Sequence, residues 1–310
     1  MAHHIVPEAE AILDKQFKVL DHGFVILTDY MGSDAAVVQA ARVSLAGEGT
    51  RPGPDDQVLN RYLMRQRHTS PFEMVELKFH CAMPIFVARQ WIRHRTANVN
   101  EMSGRYSELP ELTYVPEVEQ IKYQSPLNKQ GRGDVADRKV AECFRDRIAD
   151  RFRQVFDDYR AFLGKGHSSV QDVFPEEDFE DVKANGGISR ELARINLPVA
   201  TYTQWYWKID LHNLLHFLSL RLDPHAQWEI RQYAEVMAKM VQALCPISWK
   251  AFEDYRLNAL QLSAPEIEAL HLLQHMGTSF DVKETRLSKR EVEEFRTKLI
   301  RLRLDSLVSF

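Results

Sequence analysis

Two hydrophobic periods alternate along this chain, and the switch between them marks its elements. Residues 23–30 (GFVILTDY) form a short, apolar, β-branched run closed by Gly32, the pattern of a buried strand. Residues 76–83 (ELKFHCAM) alternate, and residues 200–209 (ATYTQWYWKI) are β-branched and aromatic, so both predict strands. Over residues 55–67 the apolar positions Val58, Leu59, Tyr62 and Leu63 fall at helical spacing. Pro84 predicts a helix from Ile85 to about His94, because proline at a helix start has no N–H to waste. Residues 138–163 carry a long amphipathic repeat that stops at Gly164 and Gly166. Shorter helices are predicted over 189–196, 211–222 and 226–244, and more helix around 249–260, 265–275 and the highly charged 288–304. The pattern fades over 96–104, over 116–137 and in the acidic stretch up to Gly187. The first and third are expected to be loops, the second a surface insertion.

Helices outnumber strands, and the strands are far apart in sequence. This predicts an α+β fold: one helix-rich domain around a mixed or antiparallel sheet, with a helical C-terminal extension. The expected division is residues 1–260 for the catalytic domain and 261–310 for the charged extension. Hydrophobic residues make up 45% and charged residues 27%, which argues for a folded core over disorder. The net charge of −4 weakens the case for a protein whose main partner is nucleic acid. Cys81, Cys143 and Cys245 are widely spaced and include no Cys-x-x-Cys pair, so neither a disulfide framework nor a thiolate metal site is expected. No run approaches ~18 apolar residues, and residues 1–15 lack a signal pattern, so no membrane partner and cytoplasmic residence are expected.

The densest chemistry lies at residues 89–106 (RQWIRHRTANVNEMSGRY). Arg89, Arg93, Arg95 and Arg105 supply guanidiniums with no lysine among them, a choice that suits planar recognition of phosphate or carboxylate groups. The alternative is a solvated basic turn. In residues 211–221 (LHNLLHFLSLR), His212, His216 and Ser219 fall in one narrow helical stripe. Arg221 falls in the apolar arc, opposite His212, and there needs an acceptor. An internal salt bridge to Asp or Glu competes with a ligand for that place. A zinc pair from His212 and His216 is weak, since the Glu of His-Glu-x-x-His is missing. His68, Ser70 and Glu73 lie in a Ser-Pro turn, and Arg190 and Arg194 lie one helical turn apart.

Arg93-His94-Arg95, seven residues and then Ser103 resembles the Arg-His-Arg-x7-Ser signature of the flavin-dependent thymidylate synthases. Residues 68–73 (HTSPFE) are similar to that family's His-x-[Ser/Thr]-Pro-x-Glu segment, residues 40–44 (AARVS) to its early flavin-side segment, and residues 221–227 (RLDPHAQ) to its Arg-x-x-x-His-Ala-Gln stretch. The four occur in the family's order over roughly residues 20–250.

The resemblance implies a methyltransferase that converts dUMP to dTMP, with FAD as cofactor and NADPH and methylene-tetrahydrofolate as co-substrates. It implies FAD contacts from Ser70, Arg93, His94, Arg95, Glu101, Asp210, His212 and His216. It implies dUMP contacts from Gln90, Arg93, Glu101, Ser103, Gly104, Arg105, Arg194 and Arg221. Arg221 is the expected catalytic group, favouring ionisation of the uracil, and His68 and Glu73 are expected near flavin and folate. A homotetramer with active sites at subunit interfaces is implied as well. No Pro-Cys-His motif is present for a thiolate route, and polarisation of uracil by arginine would replace it. The competing function is a phosphate- or RNA-binding module built on the arginine loop, without redox chemistry. A metal-dependent hydrolase is a third reading. Because His212 and His216 are expected to point away from Arg221, the resemblance further predicts that they serve one active site from different subunits.

Overall fold

The computed structural model of the chain describes residues 5–43, 55–126, 131–166, 173–276 and 286–304. The chain divides into two compact units, Met1–Phe252 and Glu253–Phe310. The first unit begins with α1 (Pro7–Glu10), β1 (Phe17–Val19), β2 (Gly23–Met31), α2 (Asp34–Val43) and α3 (Asp56–Arg65). A 3-10 turn (Phe72–Met74) leads into β3 (Glu76–Pro84), α4 (Ile85–Trp91) and β4 (Asn98–Glu101). A hairpin of β5 (Lys122–Gln124) and β6 (Arg132–Val135) precedes α5 (Arg138–Phe162), α6 (Glu176–Ala184) and α7 (Arg190–Ala193). The unit closes with β7 (Tyr202–Asp210), α8 (Leu211–Arg221), α9 (Trp228–Leu244) and α10 (Pro246–Phe252).

The main sheet has the order β1-β2-β3-β7-β4, and every pairing in it is antiparallel. The fold is α+β, as the patterning predicts. Alternation places Thr203, Trp205, Trp207 and Ile209 of β7 inside, while Tyr206 and Lys208 face outward. The inner face is a tryptophan cluster. Trp91 of α4 meets Trp205 and Trp207 edge-on at 5.4 and 5.2 Å and stacks on Phe217 of α8 at 5.2 Å. Burying each ring removes a large apolar area from water, which anchors α4 and α8 to the sheet. Gly23 is required where β2 passes under α9. A Cβ there would lie 2.1 Å from the Tyr233 hydroxyl, which donates to the Ala82 carbonyl at 2.9 Å.

Two expectations are corrected. Residues 98–101, expected in a loop, form edge strand β4, paired with β7 from Asn98↔Lys208 to Glu101↔Trp205. All four side chains are exposed, so there was no alternation to read, and backbone pairing alone makes the strand. The acidic stretch before Gly187 contains α6, opened by Pro175 and three acids in its first turn, with Phe179 as its buried residue. The surface insertion carries the β5–β6 hairpin.

The second unit contains a π-helical turn (Glu253–Leu257), α11 (Ala264–Met276) and α12 (Lys289–Arg301). Ala269, Phe295 and Leu299 form its core. Glu266, buried, accepts from Lys298 Nζ at 2.6 Å. Ser288 and Glu291 close the start of α12 as a capping box.

Candidate active site

Strand register decides which segments meet. Glu76 of β3 pairs with Asp210, and Asn98 of β4 with Lys208. The turn before β3, the segment before β4 and the start of α8 therefore gather at the Asp210 end of β7. There Asp210 caps α8, its carboxylate accepting from the Asn213 backbone N–H at 2.9 Å and the Asn213 amide at 2.7 Å. The Leu211 N–H donates to the Val75 carbonyl at 2.7 Å, and the 3-10 turn packs against α8.

Between the segment before β4, the end of β7 and α8 lies a cavity of about 340 Å³ lined by Arg93, His94, Arg95, Thr96, Ile209, Asn213, His216, Leu220 and Arg221. Arg221 Nε donates to His94 Nε2 at 3.2 Å, and the His94 ring stands 5.9 Å from that of His216. The acceptor that a half-buried Arg221 needs is thus a neutral imidazole, and no carboxylate pairs with it among the described residues. Burial, then the charge of Arg221, then His216 push the His94 pKa from 6.5 down to about 4. Burial also lowers that of Arg221. Arg93 and Arg95 have no carboxylate partner among the described residues either. A pocket with three guanidiniums and no counter-charge is built for an anionic or acceptor-rich ligand. A larger cavity of about 700 Å³ lies elsewhere, but its Arg153 and Arg160 are already paired with Asp150, Asp157 and Glu111. Charge balance, not size, selects the smaller one.

His216 and Arg221 line one cavity of one chain. The helical angle sets the two apart, yet His94, in the turn after α4, lies beside both, so one copy of α8 brings them to one cavity. His212 is half-buried and is not among the lining residues. His68 and Ser70 are exposed on the neighbouring turn, with the His68 ring edge-on to Tyr62 at 5.8 Å, and Glu73 is half-buried there. Ser44, in the early flavin-side segment, lies outside the described residues.

Glu101, Ser103, Gly104, Arg105 and Arg194 lie farther along β7, where the Met102 N–H donates to the Gln204 carbonyl at 2.9 Å. Glu101 accepts from Thr203 Oγ1 at 2.7 Å. Ser103 Oγ accepts from the Arg105 N–H at 3.2 Å. Arg194 lies over Gly104, where an added Cβ would meet its Nη1 at 3.1 Å. Arg105 pairs with Glu191 of α7 at 3.1 Å. Both partners are exposed, so the pair contributes about 0–1 kcal/mol and is easily exchanged for a ligand anion. Gln90 donates to the Gln227 amide oxygen, and Gln227 to the buried Glu229 at 3.0 Å. The sequence reading missed Glu229, Arg132 and Asn213. The available signal for Glu229 was its helical spacing with the apolar-face residues Tyr233 and Met237.

Cys81 and Cys245 are buried, which pushes both thiols up, and Cys143 is exposed on α5. None of the three lines the cavity. Among the described residues no three His, Cys, Asp or Glu side chains converge as a metal site, and no helix is long and apolar enough to cross a membrane.

A family profile described as thymidylate synthase complementing protein matches residues 26–247. The flavin-dependent thymidylate synthase of Gluconobacter oxydans is 49% identical over 289 residues, covering 93% of this chain and 89% of that one. The chain belongs to the flavin-dependent thymidylate synthase family. The synthase of Ruegeria pomeroyi is 47% identical over 291 residues, covering 94% of this chain and 90% of its own. The crystal structure of a UMP/dUMP methylase, PolB from Streptomyces cacaoi, bound with 5-Br UMP superposes with a TM-score of 0.63 at 33% identity, over 77% of this chain and 97% of that one. As a member of the family the chain is an enzyme, a methyltransferase that depends on flavin. The binding-module and hydrolase readings are not favoured.

Proposed function

We propose that this synthase makes dTMP by reductive methylation of dUMP, with methylene-tetrahydrofolate as carbon donor, FAD as cofactor and NADPH as reductant. The observation that carries the reading is the cavity at Arg93–Thr96 and α8, where three guanidiniums without a carboxylate partner among the described residues surround a neutral His94. Its residues fit a flavin: Arg93, Arg95 and Arg221 lack a carboxylate partner among the described residues, and His94 and His216 add ring donors or acceptors. When bound, FAD supplies the hydride that completes the methyl group.

The protein's own residues do the rest. Arg93, His94, Arg95 and His216 hold the flavin, with Ser70, Glu101, Asp210 and His212 as further contacts. Arg105 and Arg194, with Ser103 and Gly104, take the anionic side of dUMP, and Gln90, Arg93 and Glu101 position the nucleotide. Arg221 stabilises negative charge on the uracil, which makes its ring carbon nucleophilic without a thiolate. His68 and Glu73 stand where folate and flavin would meet. Glu101, Ser103, Gly104, Arg105 and Arg194 are not among the residues that line this cavity, which supports a homotetramer that completes each site from more than one subunit. Cytoplasmic residence belongs to the same proposal.

The test is dUMP-dependent NADPH oxidation with added FAD and methylene-tetrahydrofolate, with dTMP measured as product. Wild type should turn over, and so should a folded variant in which Cys81, Cys143 and Cys245 are all alanine. Loss of dTMP formation in that variant while folding and flavin binding persist would restore a thiolate route and remove the role of Arg221.

A further inference from the structure

Gln227 lies in the stretch that resembles the family, yet no ligand role falls to it. Its side chain bridges Gln90 and Glu229. Glu229 is 2% exposed, and its carboxylate receives Arg132 Nη2 at 2.5 and 2.6 Å and the Tyr114 hydroxyl at 3.1 Å. It also accepts from Gln227 Nε2 at 3.0 Å. A carboxylate paired with a guanidinium only accepts hydrogen bonds. Gln227 must therefore turn its NH2 toward Glu229 and its carbonyl toward Gln90. Gln90 answers with its own NH2. The end of Gln90 left without a protein partner among the described residues is Oε1. Reversing either amide would set carbonyl against carboxylate or like end against like end, and an unmet polar group away from water is costly. The polarity of Gln90 is thus set from Glu229, two hydrogen bonds away, and Arg132 ties the same carboxylate to the β5–β6 hairpin.

We propose that Glu229 is a positioning residue which, through Gln227, fixes the Gln90 amide with its oxygen toward bound dUMP. Gln90 then accepts from a neutral donor of the nucleotide, the uracil N3–H or the ribose 3′-hydroxyl, and does not bind the phosphate. This rests on the reading that Gln90 lies against dUMP.

The experiment is calorimetric binding of three ligands to the FAD-loaded enzyme: dUMP, dCMP, which lacks the N3–H, and 2′,3′-dideoxyuridine monophosphate, which lacks the 3′-hydroxyl. Wild type should bind one of the two analogues more weakly than dUMP, and that analogue names the donor. In Gln227→Met the Gln90 amide is free to turn, and this penalty should shrink roughly two- to tenfold, the size of one neutral hydrogen bond. Glu229→Gln should act the same way. Gln227→Met keeps the Glu229–Arg132 pair, so it separates orientation from folding. An equal loss for all three ligands in Gln227→Met would mean a structural role only and would overturn the proposal. Gln90→Leu separates the proposal from its premise. If Gln90→Leu shrinks the penalty and Gln227→Met does not, the relay falls while Gln90 stays at the nucleotide. If Gln90→Leu weakens all three ligands equally, Gln90 does not read a donor. If it leaves dUMP affinity unchanged, the placement of Gln90 falls, and the proposal with it.

Discussion

His94 accepts the Arg221 hydrogen bond only while Nε2 carries no proton, and its pKa is pushed from 6.5 to about 4 by burial, Arg221 and His216. The unfolded chain would protonate this imidazole near its ordinary value, the folded chain only near the lowered one. Between these limits the unfolded state binds more protons, so His94 makes stability fall as pH drops from 6.5 to about 4, with no further loss below. In His94→Gln this contribution should vanish, seen as a shallower dependence of the urea midpoint on pH than in wild type. Equal slopes in both proteins would mean that His94 is charged in the fold.

Gly104 and Arg194 come from a loop and a short 3-10 turn that are adjacent only because α7 packs beside the Ser103 loop. A Cβ at residue 104 would press on Arg194 Nη1 and Cδ, at 3.1 and 3.2 Å, so the guanidinium must shift. Arg105→Ala and Arg194→Ala should weaken dUMP by roughly ten- to hundredfold and deoxyuridine far less, since each removes a charge-assisted bond to the anionic side. Gly104→Ala should show the same preference at a smaller size. Equal weakening of both ligands would remove the phosphate role of this cluster. The strands β2, β3 and β7 and the helices α5, α8 and α9 were legible because their burial patterns repeat. β4 and α6 were not, since an exposed edge strand has no inner face and one buried Phe179 sets no period.

Over the whole molecule, the cavity cluster and the nucleotide cluster need a partner chain if sites are shared. Light scattering should then give four times the 36.0 kDa chain mass. Mixing Arg95→Ala with Arg105→Ala, each impaired alone at low dUMP, should regain activity after subunit exchange, because some sites would draw both wild-type clusters from different chains. Exchange verified by mass spectrometry without recovery would place both clusters in one chain's site. The pairing differs from the one suggested by helical angles alone, since His216 and Arg221 share a cavity.

The order of residue types along the chain determined the α+β class, the inward faces of the long elements and the Arg-His-Arg-x7-Ser segment. Those follow from local periodicity and from motifs a few residues long. Tertiary structure alone decided what each polar group meets. A helical wheel places Arg221 opposite His212, but it cannot show that the turn after α4 brings His94 against Arg221. The sequence separates Gln90 from Glu229 by more than a hundred residues, and only the packing of α9 on α4 joins them through Gln227. Hydrogen bonding is short-ranged and directional, so it is settled by the last ångströms of packing and not by the pattern that brings the elements together.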